Sequence, residues 1–220
     1  MILALTLALP VLAAKKAEAP DTISARRAFT ELPAVYLELL SRNTRLDMLD
    51  YYDNDSIYRA TNNLRGQSWL DTVAPGYLSV NVSPVSTLQI KILPVAQDRE
   101  IVMAVYTTGD PTGIRDSEVT FFDASLSPLA AGKMLKKPRL GDFFNTRGYK
   151  TEMKEIEAIL PFHSVVYDLS ADSPLLKARL SYADIVPLED ARIIELMLRP
   201  ELTYAWDGKA FKPVNNQNSK

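Results

Sequence analysis

The sequence predicts an α+β fold, with short N-terminal helices and a second helix packed on antiparallel β-meanders. Three observations carry this prediction. After residue 75, apolar side chains recur at every second position in several segments, which is the period of a strand. A stretch with helical spacing precedes each block of such segments, so a helix-then-sheet order occurs twice. Short polar or Pro/Gly-containing linkers separate the strands, which makes hairpins the economical connection. At 47% hydrophobic and 24% charged over 220 residues, the chain has the balance of a packed globular protein.

Ile2–Ala14 is uncharged and almost wholly apolar. Its length suits the h-region of a signal peptide and falls short of the ~20 apolar residues that span a bilayer. Small-residue cleavage sites follow at Ala13 and Ala19, so residues 1–19 are read as a signal peptide. The protein is then expected to be exported, to the periplasm or beyond the cell, with no transmembrane segment in the mature chain. No Lys or Arg precedes the apolar run, and a buried N-terminal helix is the alternative. Residues 22–213 make the α+β domain, with a division into subdomains 22–130 and 140–213 left open. Residues 214–220 are a polar tail.

Thr22 to about Leu64 favours short helices. Pro33 suits a first helical turn, where its missing N–H costs nothing, and Ala34–Leu40 supplies helix formers with an apolar face. Thr44-Arg45-Leu46-Asp47 reads as a capping-box-like start, with Asp47 at the positive helix end. Beyond Pro75-Gly76 the period changes to two. Leu78, Val80 and Val82 share one face of Tyr77–Val82, and Leu88, Ile90 and Ile92 one face of Thr87–Leu93. Each predicts a strand half buried and half wet. Ile101–Val105 is continuously apolar, as for a strand covered on both faces, and Ser117–Asp123 alternates through Val119 and Phe121.

Thr151–Leu160 reads as a helix with Met153, Ile156, Ile159 and Leu160 on one stripe, stopped by Pro161. His163–Leu169 and Leu176–Tyr182 are strands on either side of the turn Ala171-Asp172-Ser173-Pro174, and Leu188–Leu196 reads as a short helix, its apolar run leaving a strand as the alternative. Asp207-Gly208 marks a two-residue type I′ hairpin that would pair Trp206 with Lys209 and Tyr204 with Phe211. Whether the two halves share one sheet stays open.

Several runs resemble one family. They are Phe29-Thr30-Glu31-Leu32-Pro33, Leu39-Leu40, Arg45-Leu46-Asp47-Met48-Leu49-Asp50-Tyr51-Tyr52 and Asn63-Leu64-Arg65-Gly66-Gln67-Ser68. Ser83-Pro84-Val85-Ser86-Thr87-Leu88 and Asp116-Ser117-Glu118-Val119-Thr120-Phe121 continue the match. Together they look like Domain of Unknown Function 3256, over roughly Ile23 to Phe211, with the Arg-Leu-Asp-Met-x-Asp-Tyr run as the most specific part. The resemblance implies a small exported protein of Bacteroidales-type bacteria with no established activity, and it carries over no functional residues. The apolar leader without a basic start departs from that expectation.

Composition removes whole classes of chemistry. The absence of cysteine excludes disulfides, thiolate metal sites, iron–sulfur clusters and cysteine nucleophiles. One histidine cannot build a multi-histidine metal site within a chain. A net charge of -2 gives no broad electrostatic footprint for nucleic acid. The eight glycines form no phosphate-cradling loop, and no cofactor is expected. His163, Ser164 and Asp168 invite a triad, yet neighbours on a strand point to opposite faces and no Gly-x-Ser-x-Gly elbow is present. A sheet-packed histidine is the preferred reading. Lys133–Arg139 is a local basic run of the kind found in solvated loops.

Two sets of residues remain as candidates. Asp47, Asp50, Asp53 and Asp55 are the best carboxylate cluster, and oxygen ligands suit Ca²⁺. The cluster lacks the loop glycine and distal Glu of an EF-hand, so a solvated acidic surface beside Arg42, Arg45 or Arg59 is the plain alternative. Tyr51, Tyr52, Tyr58 and Trp69 are the candidate binding residues, because exposed aromatics bury large area at low entropy cost. Packing against the sheet is their competing role. The sequence thus favours an exported, non-catalytic module that binds a protein or envelope component over two alternatives. These are a carboxylate-dependent hydrolase and a Ca²⁺-stabilised structural domain.

Overall fold

A computed structural model of the chain describes residues 22–54, 58–147, 152–182 and 186–214. The signal-peptide reading of residues 1–19 falls outside them. Two helices open the described chain, α1 (Ala25–Glu31) and α2 (Arg42–Asp53), with a single 3₁₀ turn at Ala34–Tyr36 between them. Seven strands follow as one antiparallel meander in chain order: β1 (Ala60–Thr61), β2 (Gln67–Ala74), β3 (Tyr77–Ser83), β4 (Ser86–Val95), β5 (Arg99–Gly109), β6 (Arg115–Asp123) and β7 (Pro128–Leu129). After short helices α3 (Ala131–Met134) and α4 (Met153–Ile159) come β8 (His163–Asp168), β9 (Leu175–Tyr182), α5 (Leu188–Met197), β10 (Leu202–Trp206) and β11 (Phe211–Pro213). The last four strands form a second antiparallel sheet in the order β11-β10-β9-β8. The helix-then-sheet order therefore does occur twice, with a separate sheet for each half.

Alternation along β3–β6 feeds two cores. Leu78, Val80, Val82, Leu88, Ile90, Val102, Ala104 and Phe122 face α1 and α2, where they meet Ala28, Phe29, Leu32 and Met48. The opposite face supplies Tyr77, Leu93, Met103, Val105 and Phe121 to a core shared with the second sheet and with α4 and α5. Val165, Tyr167, Leu176, Ala178, Tyr204 and Phe211 come from the second sheet. The seven-stranded sheet is thus a middle layer, helices above and a smaller sheet below. Ile101–Val105 is buried throughout, as its unbroken apolar run requires.

That layering corrects the expectation of a wet face on β3 and β4. Tyr77 and Ser79 are buried, and Asn81, Thr87, Gln89 and Lys91 are half-buried. Ser79 Oγ donates to Asp71 Oδ2 of β2 at 2.8 Å, whereas Tyr77, Gln89 and Lys91 reach across to the second sheet and its β8–β9 turn. Gln89 Nε2 donates to Asp168 Oδ1 at 2.9 Å, while its Oε1 accepts from the Leu169 amide at 3.1 Å. Lys91 Nζ donates to the carbonyls of Ser170 and Ala171 at 2.6 and 3.1 Å. Ser117 Oγ accepts from the Tyr167 amide at 3.0 Å, and Ser164 Oγ donates to the Arg115 carbonyl at 2.5 Å. A buried polar group is tolerated when it is bonded, and these are.

Four local expectations are revised. Helix α2 starts two residues before Thr44: Ser41 is the N-cap, its Oγ accepting from the Thr44 amide at 3.1 Å. Ala34–Leu40 makes only the 3₁₀ turn, and Gln67–Ala74 is a strand not read from the sequence. The last hairpin pairs Trp206 with Phe211 and Tyr204 with Pro213, so its loop has four residues, not two. Asp207 is the reason: its Oδ1 accepts from the amides of both Lys209 and Ala210, and Gly208 takes the positive φ of 90° within the wider loop.

Candidate functional site

The four aromatic residues gather where the end of α2 meets β2. Tyr51 and Tyr52 sit on the last turns of α2, Tyr58 lies in the segment leading to β1, and Trp69 is on β2. The rings of Tyr51 and Tyr58 stack with centroids 4.0 Å apart and planes 16° from parallel. Tyr51 remains 45% exposed, a large fraction for an aromatic ring. Arg59, next in the chain after Tyr58, places its guanidinium 4.5 Å from the Trp69 ring centroid, an attractive cation–π distance. Tyr52 plays a different part: its hydroxyl accepts from the Val73 amide at 3.3 Å, which ties α2 to β2. The structure therefore joins Tyr51 to Tyr58, follows them in the chain with Arg59 over Trp69, and gives Tyr52 an anchoring role. Nothing in the sequence marks Arg59 as a binding residue, because its contact with Trp69 depends on β2, whose bulge breaks the strand alternation.

The acidic residues are arranged otherwise. Asp47 and Asp50 are exposed on α2. Asp53, the last residue of α2, forms a two-pronged pair with Arg26 of α1. That hydrogen-bonded guanidinium holds the Asp53 carboxyl below the usual carboxylate range, and Arg26 is raised in turn. Asp55 lies outside the described residues. Among the described residues, no three His, Asp or Glu side chains come together as a metal site.

His163 opens β8 exposed rather than packed into the sheet, with Nδ1 3.2 Å from the Leu160 carbonyl oxygen. Ser164 is engaged with the Arg115 carbonyl, and Asp168 with Gln89 and Arg179. These three residues are each committed to a different neighbour, so no nucleophile–base pair is formed. A nucleophile needs a base within hydrogen-bond reach.

The fold and these sequence runs have relatives. A solved structure of a domain of an uncharacterized protein from Porphyromonas gingivalis W83 superposes with a TM-score of 0.73 at 21% identity, over 87% of this chain and 98% of that one. At that identity the likeness speaks for the fold alone. No curated protein matches the chain. The family model described as "Protein of unknown function (DUF3256)" matches residues 21–211, nearly all of the described part. The chain belongs to the DUF3256 family.

Proposed function

We propose that this protein is an exported, non-catalytic binding module of the cell envelope, engaging a protein or envelope component through the surface around Tyr51, Tyr58 and Trp69. The observation that carries the reading is the stacked, half-exposed Tyr51–Tyr58 pair beside an Arg-covered tryptophan. Tyr, Trp and Arg are the residue types that dominate binding energy at interfaces. The apolar leader Ile2–Ala14 supports export. Committed partners on His163, Ser164 and Asp168 leave a catalytic reading without a constellation to rest on.

A photo-crosslinking residue placed at position 51 tests this in envelope extract. The expected outcome is one recurrent crosslinked species, absent when the same group replaces exposed Val85 of the β3–β4 turn and abolished by Trp69→Ala in a protein of normal melting temperature. Identical crosslinking patterns from positions 51 and 85 would refute the assignment of this surface.

A further inference from the structure

On the face of the middle sheet away from α1 and α2, a strap of chain carries positive charge outward. Residues 124–141 contain no Asp or Glu, yet Lys133, Lys136, Lys137 and Arg139 fall within them. Leu135 and Leu140 are buried in the core below the middle sheet, and Met134 packs against the same core. Pro138 is buried as well. The four basic residues interleave with these anchors, and all four are exposed. Because the anchors fix the backbone, the cations are presented without a loop first having to be ordered.

None of the four is ion-paired among the described residues. The acids nearest along the chain are turned to backbone amides of their own turns. Asp123 Oδ1 accepts from Ser125 at 2.8 Å and Ser127 at 2.9 Å, and Asp142 Oδ2 accepts from Arg139 at 2.8 Å. The chain as a whole carries a net charge of -2, so the strap opposes the sign of the rest of the molecule. Three of the four cations are lysines. An ammonium is a point charge on a flexible stem, and it answers a field of negative charge rather than a planar acceptor of fixed geometry.

We propose that this strap docks the protein on an anionic lipid bilayer. A charged bilayer offers negative charge over an area and asks for no pocket, which matches an exposed row of unpaired cations. Each Lys or Arg close to such a surface strengthens association about fivefold. The net negative remainder of the molecule is repelled, which orients the strap toward the lipid. The aromatic surface takes no part, so this proposal stands or falls apart from the function proposed above.

Co-sedimentation of the full chain with vesicles tests it, comparing phosphatidylcholine alone with a mixture holding roughly one-third phosphatidylglycerol. The quantity read is the excess bound to the anionic vesicles, in which any contribution of the apolar leader cancels. The variant Lys133→Gln/Lys136→Gln/Lys137→Gln is expected to bind the anionic vesicles about a hundredfold more weakly, as three fivefold steps require. The control Arg27→Gln/Arg192→Gln/Lys209→Gln removes the same charge from exposed positions elsewhere and is expected to keep the excess. About 0.5 M NaCl is expected to abolish it by screening. Poly-glutamate at matched charge is expected to leave the protein on the vesicles. No excess on anionic vesicles overturns the proposal, as does an excess that survives in the strap variant or vanishes equally in the control. Preferential transfer to poly-glutamate overturns it too, and assigns the strap to an acidic polypeptide.

Discussion

Gln89 is the residue on which the joint between the two sheets turns. One amide side chain answers the Asp168 carboxylate and the Leu169 amide together. Gln89→Ala leaves both without that partner in a half-buried place, and the expected loss of stability is about 1–3 kcal/mol by urea unfolding. Three phenols near the same joint give the fold its alkaline limit. Burial pushes Tyr77, Tyr167 and Tyr204 above the ordinary phenol value of 10.0, Tyr167 furthest. The folded state therefore keeps protons that the unfolded chain begins to release near pH 10. Stability is undiminished by these groups below that pH and falls as pH rises through and beyond it. Burial lowers Lys91, which acts in the opposite sense but as one group against three. Melting temperature is expected to drop steeply above pH 10, and Tyr167→Phe to soften that drop; an unaltered pH profile in the variant would remove Tyr167 from the account.

At the scale of elements, what the sequence revealed and what it hid follow from local geometry. Strict alternation in Tyr77–Val82 and Thr87–Leu93 marks β3 and β4 because the pleat enforces a period of two. The same pattern cannot say what covers the polar side, so Gln89 and Lys91 look wet in sequence and bond residues 168–171 at the end of β8 in the fold. Strand β2 escaped because its register shifts between Leu70 and Thr72, and a bulge breaks the alternation that would announce it. With β2 unread, the seating of Trp69 under Arg59 was out of reach, although Tyr51, Tyr58 and Trp69 themselves were legible as aromatics near a helix. Ser41 and Thr44 both offer capping hydroxyls, and only geometry shows that Ser41 is the cap. Gly109 makes the sharpest element-level demand. It ends β5 with φ +123°, and a Cβ there would lie 2.2 Å from the Ile114 carbonyl oxygen. Gly109→Ala must bear both backbone strain and that clash, so a loss of more than about 1 kcal/mol is expected. Thermal unfolding of the single variant measures it, and a neutral result would mean the β5–β6 turn relaxes freely.

Across the whole molecule, the middle sheet makes the two cores interdependent. Phe121 and Phe122 are adjacent in the chain and wholly buried, yet each belongs to a different core. Truncating either to alanine is expected to cost about 3–5 kcal/mol, the range for large aromatic deletions in cores. Because β3–β6 contribute alternate side chains to both, each variant is expected to lower one shared unfolding transition rather than split it. Calorimetry showing two resolved transitions in either variant would mean that the cores melt separately. The bonds from Ser117 to the backbone of β8 and from Gln89 to the residue just after it have a consequence at this scale as well. The amide hydrogens of Tyr167 and Leu169 are occupied by side chains of the same chain. A foreign β-segment laid alongside β8 would find those two rungs taken, and this margin of the smaller sheet is a poor seed for fibril growth.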